Sequence, residues 1–158
     1  MVERQIESRG VRDPTVLAAM REVPRHRFMP DRGVHEAYGD HAVPIGHGQT
    51  ISQPYIVAFM TEALEPGRGR SVLEVGTGSG YQAAVLAACG LDVFTVERIP
   101  ELHRRAARVL EETGFVDRVR LRLGDGSRGW PEHAPFDRVL LTAAARALPD
   151  AVVEQLAE

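Results

Sequence analysis

This 158-residue sequence contains no lysine, because all 19 of its basic residues are arginine. A chain without lysine has no Schiff-base nucleophile and no phosphate-binding loop that depends on a lysine. Cysteine is almost as scarce, and Cys89 is the only one. A single cysteine excludes a disulfide bond within the chain.

Long apolar runs are missing as well. No stretch approaches the roughly 18 consecutive apolar residues of a membrane helix, and the opening residues 1–5 are too polar for a signal peptide. The formal net charge of −3 gives no electrostatic reason to expect a general nucleic-acid binder. These features predict a cytoplasmic protein without membrane contact. The length predicts a single domain over residues 1–158.

Residues 1–52 differ in pattern from the rest of the chain. Asp13 followed by Pro14 predicts the start of a helix, with Asp13 as its N-cap. The stretch 23–30 is interrupted by prolines, and 39–50 is rich in glycine and predicts a loop. An irregular stretch of this length in a compact domain is more often functional than idle.

From residue 53 onward, helical and strand patterns alternate. The predicted strands are 71–75, 91–96, 118–123 and 136–141, and the predicted helices are 53–64, 81–89, 101–113 and 150–156. This alternation predicts a doubly wound α/β fold with a parallel sheet. Every second residue of the third strand is arginine, so one of its faces is solvated and it belongs at an edge. The predicted strand order is 3-2-1-4.

A glycine-rich motif lies where the first of these strands turns into a helix. Gly76, Gly78 and Gly80 permit unusual backbone angles and the close approach of a ligand. A dinucleotide-binding fingerprint would need glycine at position 81, where the chain has Tyr81. Glu74, two residues before the first glycine, would repel a pyrophosphate but suits a ligand with cationic groups. S-adenosylmethionine is such a ligand.

Two more carboxylates follow the next two strands. Glu97 directly follows the second strand, where an acid can accept hydrogen bonds from ribose hydroxyls. Asp125 lies between two glycines after the third strand and is placed to accept from an adenine amino group. Because ligands of open α/β sheets bind at the carboxyl ends of the strands, the three acids together predict an S-adenosylmethionine site.

Four segments carry a family resemblance: residues 23–28 (VPRHRF), 44–54 (PIGHGQTISQP), 74–81 (EVGTGSGY) and 136–145 (FDRVLLTAAA). The chain resembles the protein-L-isoaspartate O-methyltransferase family of Class I S-adenosylmethionine-dependent methyltransferases. The resemblance implies a mostly parallel, Rossmann-like methyltransferase sheet. It also implies methylation of the free carboxylate of L-isoaspartyl residues in damaged proteins or peptides, a repair reaction that leaves S-adenosylhomocysteine.

The resemblance also implies roles for single residues. Segment 1–52 lies on the substrate side of the domain, and 53–158 forms the cofactor-binding core. Ser52 is the implied catalytic residue, and capping of the helix that follows it is a second, compatible role. His47 is either an exposed loop residue or a substrate contact. The implied cofactor-binding residues are Thr50, Ile51, Glu74, Gly76, Thr77, Gly78, Gly80, Tyr81, Glu97, Asp125, Gly126 and Thr142.

The residue types agree with methyl transfer to a carboxylate. Such a nucleophile is already ionised at neutral pH, so positioning and desolvation supply much of the rate and no strong base is required. A hydroxyl such as that of Ser52 can orient the carboxylate by a hydrogen bond. The six histidines show no metal-ligand spacing, and no metal is expected.

The chain departs from the superfamily at its C-terminal side. The superfamily has a seven-stranded sheet, and we expect its last strands to be missing from this chain. The apolar fourth strand would then present an edge that favours self-association. Two alternatives stay open: methyl transfer to another acceptor, either RNA or a peptide aspartate, and cofactor binding without turnover. A nicotinamide-binding Rossmann protein is disfavoured by Glu74 and Tyr81.

Overall fold

The computed structural model describes residues 1–29, 33–143 and 147–157. Pro30, Ala144, Ala145 and Glu158, which belong to sequence segments interpreted above, lie outside the described residues. The α-helices of the described chain are α1 (Pro14–Glu22), α2 (Val34–Ala37), α3 (Pro54–Ala63), α4 (Tyr81–Ala88), α5 (Pro100–Glu112) and α6 (Asp150–Val153). Its strands are β1 (Val43–Gly46), β2 (Gln49–Ile51), β3 (Ser71–Val75), β4 (Asp92–Glu97), β5 (Val119–Leu123) and β6 (Arg138–Leu141).

Several single turns complete the described secondary structure. A π-helical turn spans Val2–Ile6. The 3₁₀ turns are Glu7–Arg9, Arg25–Phe28, Val116–Arg118, Gly126–Arg128 and Pro131–His133. One of these turns, Gly126–Arg128, follows β5 and borders the candidate site.

The larger sheet is parallel and has the strand order β5-β4-β3-β6. This confirms both the predicted α/β class and the predicted order. β5 lies at an edge, as its alternating arginines predicted, and Arg120 is exposed there. In a parallel sheet all strands end on the same side, so the segments that follow β3, β4, β5 and β6 meet there.

Apolar side chains cover both faces of this sheet. On one face, α1, α3, α4 and α5 form the larger core. The alanine-rich helix α4 is buried along nearly its whole length, because small side chains let it pack closely on its neighbours. On the other face, Leu73, Phe94, Phe136 and Val152 form a smaller cluster. The strand ends are therefore held rigidly from both sides.

The prediction of a loop over 39–50 is wrong for its second half. β1 and β2 form an antiparallel hairpin, in which Val43 pairs with Ile51 and Pro44 with Thr50. Its turn contains His47, whose φ of 54° is positive. Buried and exposed residues alternate along β1. Its exposed positions are occupied by proline and glycine, which are rare in strands, so residue propensities do not predict a strand there.

Helix boundaries test two of the predicted caps. Asp13 is the N-cap of α1, as predicted, and its carboxylate accepts the N–H groups of Thr15 and Val16 at 2.8 and 3.0 Å. Ser52 is not a helix cap. The N-cap of α3 is Gln53, because the following proline holds the residue before it in an extended conformation. The capping role that was open for Ser52 is thereby removed.

β6 lies at the opposite edge of the described sheet. Just before it, Phe136 pairs with Leu156 in a single parallel bridge. The Phe136 N–H donates to the Gln155 carbonyl, and the Ala157 N–H donates to the Phe136 carbonyl, both at 2.8 Å. Pairing of another chain with the rest of this edge stays a prediction. Among the described residues, no helix combines the length and apolarity needed to cross a membrane.

Candidate active site

A cavity of about 370 Å³ opens at the carboxyl ends of the parallel strands. It lies where β6 adds to the opposite side of β3 from β4, which is the reversal point at which open α/β sheets bind ligands. The end of the β1–β2 hairpin forms part of its wall. The volume falls within the range of about 300–1,000 Å³ that is usual for small-molecule sites.

Most of the sequence-predicted site residues meet in this cavity. Those that line it are Thr50, Ile51, Ser52, Gly76, Thr77, Gly78, Tyr81, Glu97, Asp125, Gly126 and Thr142. Glu74 and Gly80 are not among the lining residues. The first and last of these residues, Thr50 and Thr142, are 92 positions apart in the sequence, so the fold brings the site together.

The glycine loop depends on glycine for steric reasons. Gly76 has a φ of +102°, which side chains of L-residues rarely tolerate. A Cβ at this position would lie 2.9 Å from both Thr142 Oγ1 and Ala143 Cβ. A Cβ on Gly126 would similarly crowd Val75 Cγ1 at 2.5 Å. Both glycines therefore let the backbone of neighbouring strand ends close tightly around the cavity.

Glu97 is held in place by backbone donors. Its side chain is 4% exposed. The Gly78 N–H donates to Oε2 at 2.7 Å, and the Ile99 N–H donates to Oε1 at 2.9 Å. Because each carboxylate oxygen has two lone pairs, each still has one free for a ligand. The acid is thus oriented in advance toward a pair of hydroxyl groups.

Glu74 lies beneath the cavity and does not line it. It is fully buried, and its Oε2 accepts a hydrogen bond of 2.6 Å from the Thr95 hydroxyl. Burial, with a smaller contribution from the nearby Glu97 and against the opposing effect of the Thr95 hydrogen bond, raises the pKa of Glu74 to about 8. Its Oε1 has no partner among the described residues.

Gly80 is likewise set back from the cavity. It precedes α4 with a φ of +86°, and a Cβ there would meet Ala106 and Leu110 of α5 at 3.4 and 3.5 Å. Its role in the structure is the close packing of two helices. The first two glycines of the motif, by contrast, border the cavity itself.

Asp125 is exposed at the rim of the cavity. Its Oδ1 accepts from both the N–H and the hydroxyl of Ser127, at 3.0 and 2.8 Å. These two hydrogen bonds lower the pKa of Asp125 below its usual range. The carboxylate is therefore ionised and fixed at the start of the 3₁₀ turn, with Oδ2 free to accept.

Thr142 closes the cavity on the β6 side. Its hydroxyl lies 2.9 Å from the Val75 carbonyl and 2.6 Å from the Gly76 carbonyl, to which it donates. The hydroxyl is therefore engaged with the start of the glycine loop. Tyr81 is 1% exposed and packs edge-on against Phe28 at a centroid distance of 5.6 Å, so its ring contributes mainly to the core.

Several lining residues were not predicted from the sequence. They include Gln49, Ser79, Gln82, Arg98, Ile99 and Ser127. Four of these, Gln49, Ser79, Arg98 and Ser127, stand next to a predicted residue in the hairpin or in a segment that follows a strand, and that adjacency was the available signal. Gln82 follows Tyr81 but is buried inside α4, where the motif gave no reason to expect a site residue. No group of three or more potential metal ligands occurs among the described residues.

A family model and individual relatives match this chain. The protein-L-isoaspartate(D-aspartate) O-methyltransferase model matches residues 1–158. A protein-L-isoaspartate O-methyltransferase from Gloeobacter violaceus is 57% identical over 157 residues, which are 99% of this chain and 76% of that protein. The Opitutus terrae protein of the same name is 56% identical over 158 residues, or 100% of this chain and 67% of that protein.

Solved structures match the fold as well. A protein-L-isoaspartate O-methyltransferase superposes with a TM-score of 0.89 at 30% identity and covers 100% of this chain, which spans 53% of that one. A Plasmodium falciparum protein of this kind, in complex with S-adenosyl-L-homocysteine, gives a TM-score of 0.82 at 25% identity, over 99% of this chain and 78% of that one. The chain therefore belongs to the protein-L-isoaspartate(D-aspartate) O-methyltransferase family of S-adenosylmethionine-dependent methyltransferases.

Proposed function

We propose that this chain methylates the free carboxylate of L-isoaspartyl residues in damaged proteins or peptides, with S-adenosylmethionine as the methyl donor. One observation carries the proposal: a single cavity joins the glycine loop and two acids of the sheet to residues 49–52 of the hairpin. The glycine loop and the two acids suit a nucleoside with an amino-acid tail, and residues 49–52 face that ligand from the opposite wall. The methyl ester then closes to a succinimide without further catalysis, which makes the reaction a repair.

The cavity fits the donor in the chemistry of its groups. Glu97 retains one free lone pair on each oxygen for the two ribose hydroxyls, and Asp125 retains Oδ2 for the adenine amino group. Gly76 and Gly78 leave room for the amino-acid end. When bound, S-adenosylmethionine supplies a methyl group on a positively charged sulfur. Glu74 precedes the glycine loop and is buried with a pKa raised to about 8, so at neutral pH it is mostly protonated and supplies little counter-charge to that sulfur.

The acceptor requires orientation and not activation. An isoaspartyl carboxylate is ionised at neutral pH, so one of its oxygens attacks directly. The Ser52 hydroxyl donates a hydrogen bond to the other oxygen and holds the carboxylate in line. Thr50 and Ile51 fill the space beside it and limit the entry of water. A correct approach geometry of this kind is worth several kcal/mol of barrier.

The experiment that tests the proposal is methyl transfer from labelled S-adenosylmethionine to two synthetic peptides that differ only in an isoaspartyl or an aspartyl linkage. We expect label in the isoaspartyl peptide alone. Cofactor binding is measured in parallel by calorimetry. Cofactor binding without label in either peptide would contradict the proposed acceptor and favour binding without turnover.

The other acceptors gain no support from the described contacts. The arginines of β5, which an RNA would need, are already engaged: Arg122 pairs with Glu132 at 3.0 Å, and Arg120 lies over the Phe94 ring at 5.0 Å. Equal labelling of the aspartyl peptide would instead favour a peptide-aspartate methyltransferase. The proposal includes a cytoplasmic setting, in which a buried Cys89 without a disulfide is the ordinary state.

The proposal also includes self-association through the outer edge of β6. At this edge, Phe136 is already paired with segment 155–157 of the same chain. An edge strand with free backbone groups is a template for another strand. Light scattering across a range of protein concentrations tests this, and a monomer at every concentration would contradict it.

A further inference from the structure

Arg25 is a buried cation that holds two separate backbone segments. It is 0% exposed and opens the 3₁₀ turn Arg25–Phe28. Its Nε donates to the carbonyl of Ala37, and its Nη2 donates to the carbonyl of Ser52, both at 2.7 Å. Its Nη1 has no partner among the described residues.

The guanidinium also contacts the start of the glycine-loop helix. Its central carbon lies 4.8 Å from the centre of the Tyr81 ring. Tyr81 is the first residue of α4, directly after Gly80. One side chain therefore links the end of α2, the residue after the hairpin and the first turn that follows the glycine loop. These are the segments whose relative position sets the distance across the cavity.

Such an arrangement is costly if it serves packing alone. Burying a charge without a counter-charge carries a penalty of several kcal/mol, and none of the ion pairs among the described residues includes Arg25. An apolar side chain of similar size would fill the same space without that penalty. What it could not do is hold two carbonyls at a fixed distance with a planar donor group.

We propose that Arg25 is a positioning residue for methyl transfer. By holding the Ser52 carbonyl, it fixes the Ser52 hydroxyl relative to the glycine loop and so sets the line along which the acceptor carboxylate approaches. This inference rests on the proposed function. Arg25 touches neither substrate nor cofactor in this account, and its influence passes through the backbone of Ser52.

The first test compares Arg25→Lys with Arg27→Lys. Both substitutions fall in the same turn and keep the charge, but Arg27 is half exposed and pairs with Glu112 at 3.2 Å. A lysine at position 25 reaches one carbonyl and not two. We expect Arg25→Lys to lower kcat on the isoaspartyl peptide about 10- to 100-fold, since misplacement by about 1 Å costs up to about 100-fold. The cofactor Kd should stay within about twofold of wild type, and Arg27→Lys should change neither constant.

The second test repeats Arg25→Lys in a Ser52→Ala background. If Arg25 acts through the Ser52 hydroxyl, the two losses overlap and the second substitution adds less than about threefold. The same loss of kcat in both backgrounds would overturn the inference. A merely structural role would give that second result, because general damage to the fold does not depend on one hydroxyl.

The third test does not require turnover. Amide hydrogen exchange of segment 49–53 should speed up about tenfold or more in Arg25→Lys and stay unchanged in Arg27→Lys, while β3 exchanges equally in both. Unchanged exchange of 49–53 would overturn the inference even if the enzyme is active. A wild-type chain without turnover would contradict the proposed function, and the exchange data would still decide the role of Arg25. If neither Arg25→Lys nor Arg25→Gln folds, Arg25 is a folding requirement and the positioning role is overturned.

Discussion

The two walls of the cavity are built in different ways. The wall at the strand ends is made of short segments that directly follow β3, β4, β5 and β6, and the parallel sheet brings them together. The hairpin wall belongs to a separate two-stranded sheet. Val43, Ile45 and Ile51 pack it into the larger core, and arginine side chains hold its two ends. Arg25 holds its end at Ser52, and Arg105 holds its start at the Ile45 carbonyl, at 2.7 Å.

This difference separates two tasks. A wall whose shape follows from sheet geometry is suited to binding the cofactor in a constant position. A wall on a separate hairpin, whose two ends are positioned by arginine contacts over long sequence distances, is suited to setting where the acceptor enters. We therefore expect substitutions in the first wall to change cofactor affinity, and substitutions in the second wall to change the rate of transfer.

The largest expected effect comes from Gly76→Ala. A methyl group there meets Thr142 and Ala143 at 2.9 Å, with a φ of +102°. We expect cofactor affinity, measured by calorimetry, to fall about 100-fold or more, since strain and a clash together cost about 3 kcal/mol.

Gly78→Ala is the matched control for Gly76→Ala. Its φ is +57°, and the nearest atom to its added Cβ is Ile45 Cδ1 at 3.7 Å, so the space there is open. The left-handed conformation alone costs about 1 kcal/mol, and affinity should fall less than about tenfold. Equal losses in the two variants would show that the close approach of β6 to Gly76 is unimportant.

Glu97→Gln should weaken cofactor binding about 10- to 100-fold. In wild type, the Gly78 and Ile99 N–H groups each donate to one oxygen of the Glu97 carboxylate. Glutamine replaces one of these oxygens with an NH₂ group, which is itself a donor and faces one of the two N–H groups. One buried donor then loses its acceptor, at about 1–3 kcal/mol. Glu101→Gln, on the exposed start of α5, is the control and should bind the cofactor as wild type does. Wild-type affinity in Glu97→Gln would contradict this account of the strand-end wall.

Much of the strand-end wall could be predicted from the sequence. Strand order, the glycine loop and the acids at 97 and 125 follow from local patterns, because each functional residue directly ends a recognisable strand. Glu74 fits that pattern too, yet its side chain points below the cavity. The side of a strand from which a residue emerges depends on packing that the motif does not encode.

The hairpin wall was harder to predict. Pro44 and Gly46 hide the alternation of β1, and the contacts of Arg25 span 12 and 27 residues along the chain. No local pattern marks a side chain that binds a distant carbonyl. The family resemblance identified residues 44–54 as functional without indicating that they form a hairpin or what holds them.

The pH dependence of stability distinguishes Glu74 from the exposed acids. Its folded-state pKa of about 8 lies above the ordinary value of 4.5, so the folded protein binds a proton that the unfolded chain has lost. This stability is complete below pH 4.5 and is lost as the pH rises to about 8, by at most about 1.4 kcal/mol per pH unit. Chemical denaturation at several pH values should show this slope in wild type and its absence in Glu74→Gln. The same slope in both proteins would contradict the assignment to Glu74.

The smallest expected effect is that of Arg105→Lys. It loosens the start of the hairpin at the Ile45 carbonyl and should lower the rate of methyl transfer about threefold, with the cofactor Kd unchanged. Arg104→Lys, whose exposed side chain pairs with Glu101 at 3.2 Å, is the control and should have no effect. A loss of cofactor affinity without a loss of transfer rate in Arg105→Lys would contradict the assignment of the hairpin wall to the acceptor.

Ser52→Ala is the most direct test of the claim that the strand-end wall sets cofactor affinity and the hairpin wall sets the rate of transfer. The measurement is single-turnover methyl transfer to the isoaspartyl peptide at saturating cofactor, together with the cofactor Kd. We expect a transfer rate lower by about 10- to 100-fold, which is the loss from removing one hydrogen bond to a charged group, and an unchanged cofactor Kd. A wild-type transfer rate, or a loss that appears only in cofactor affinity, would contradict this claim.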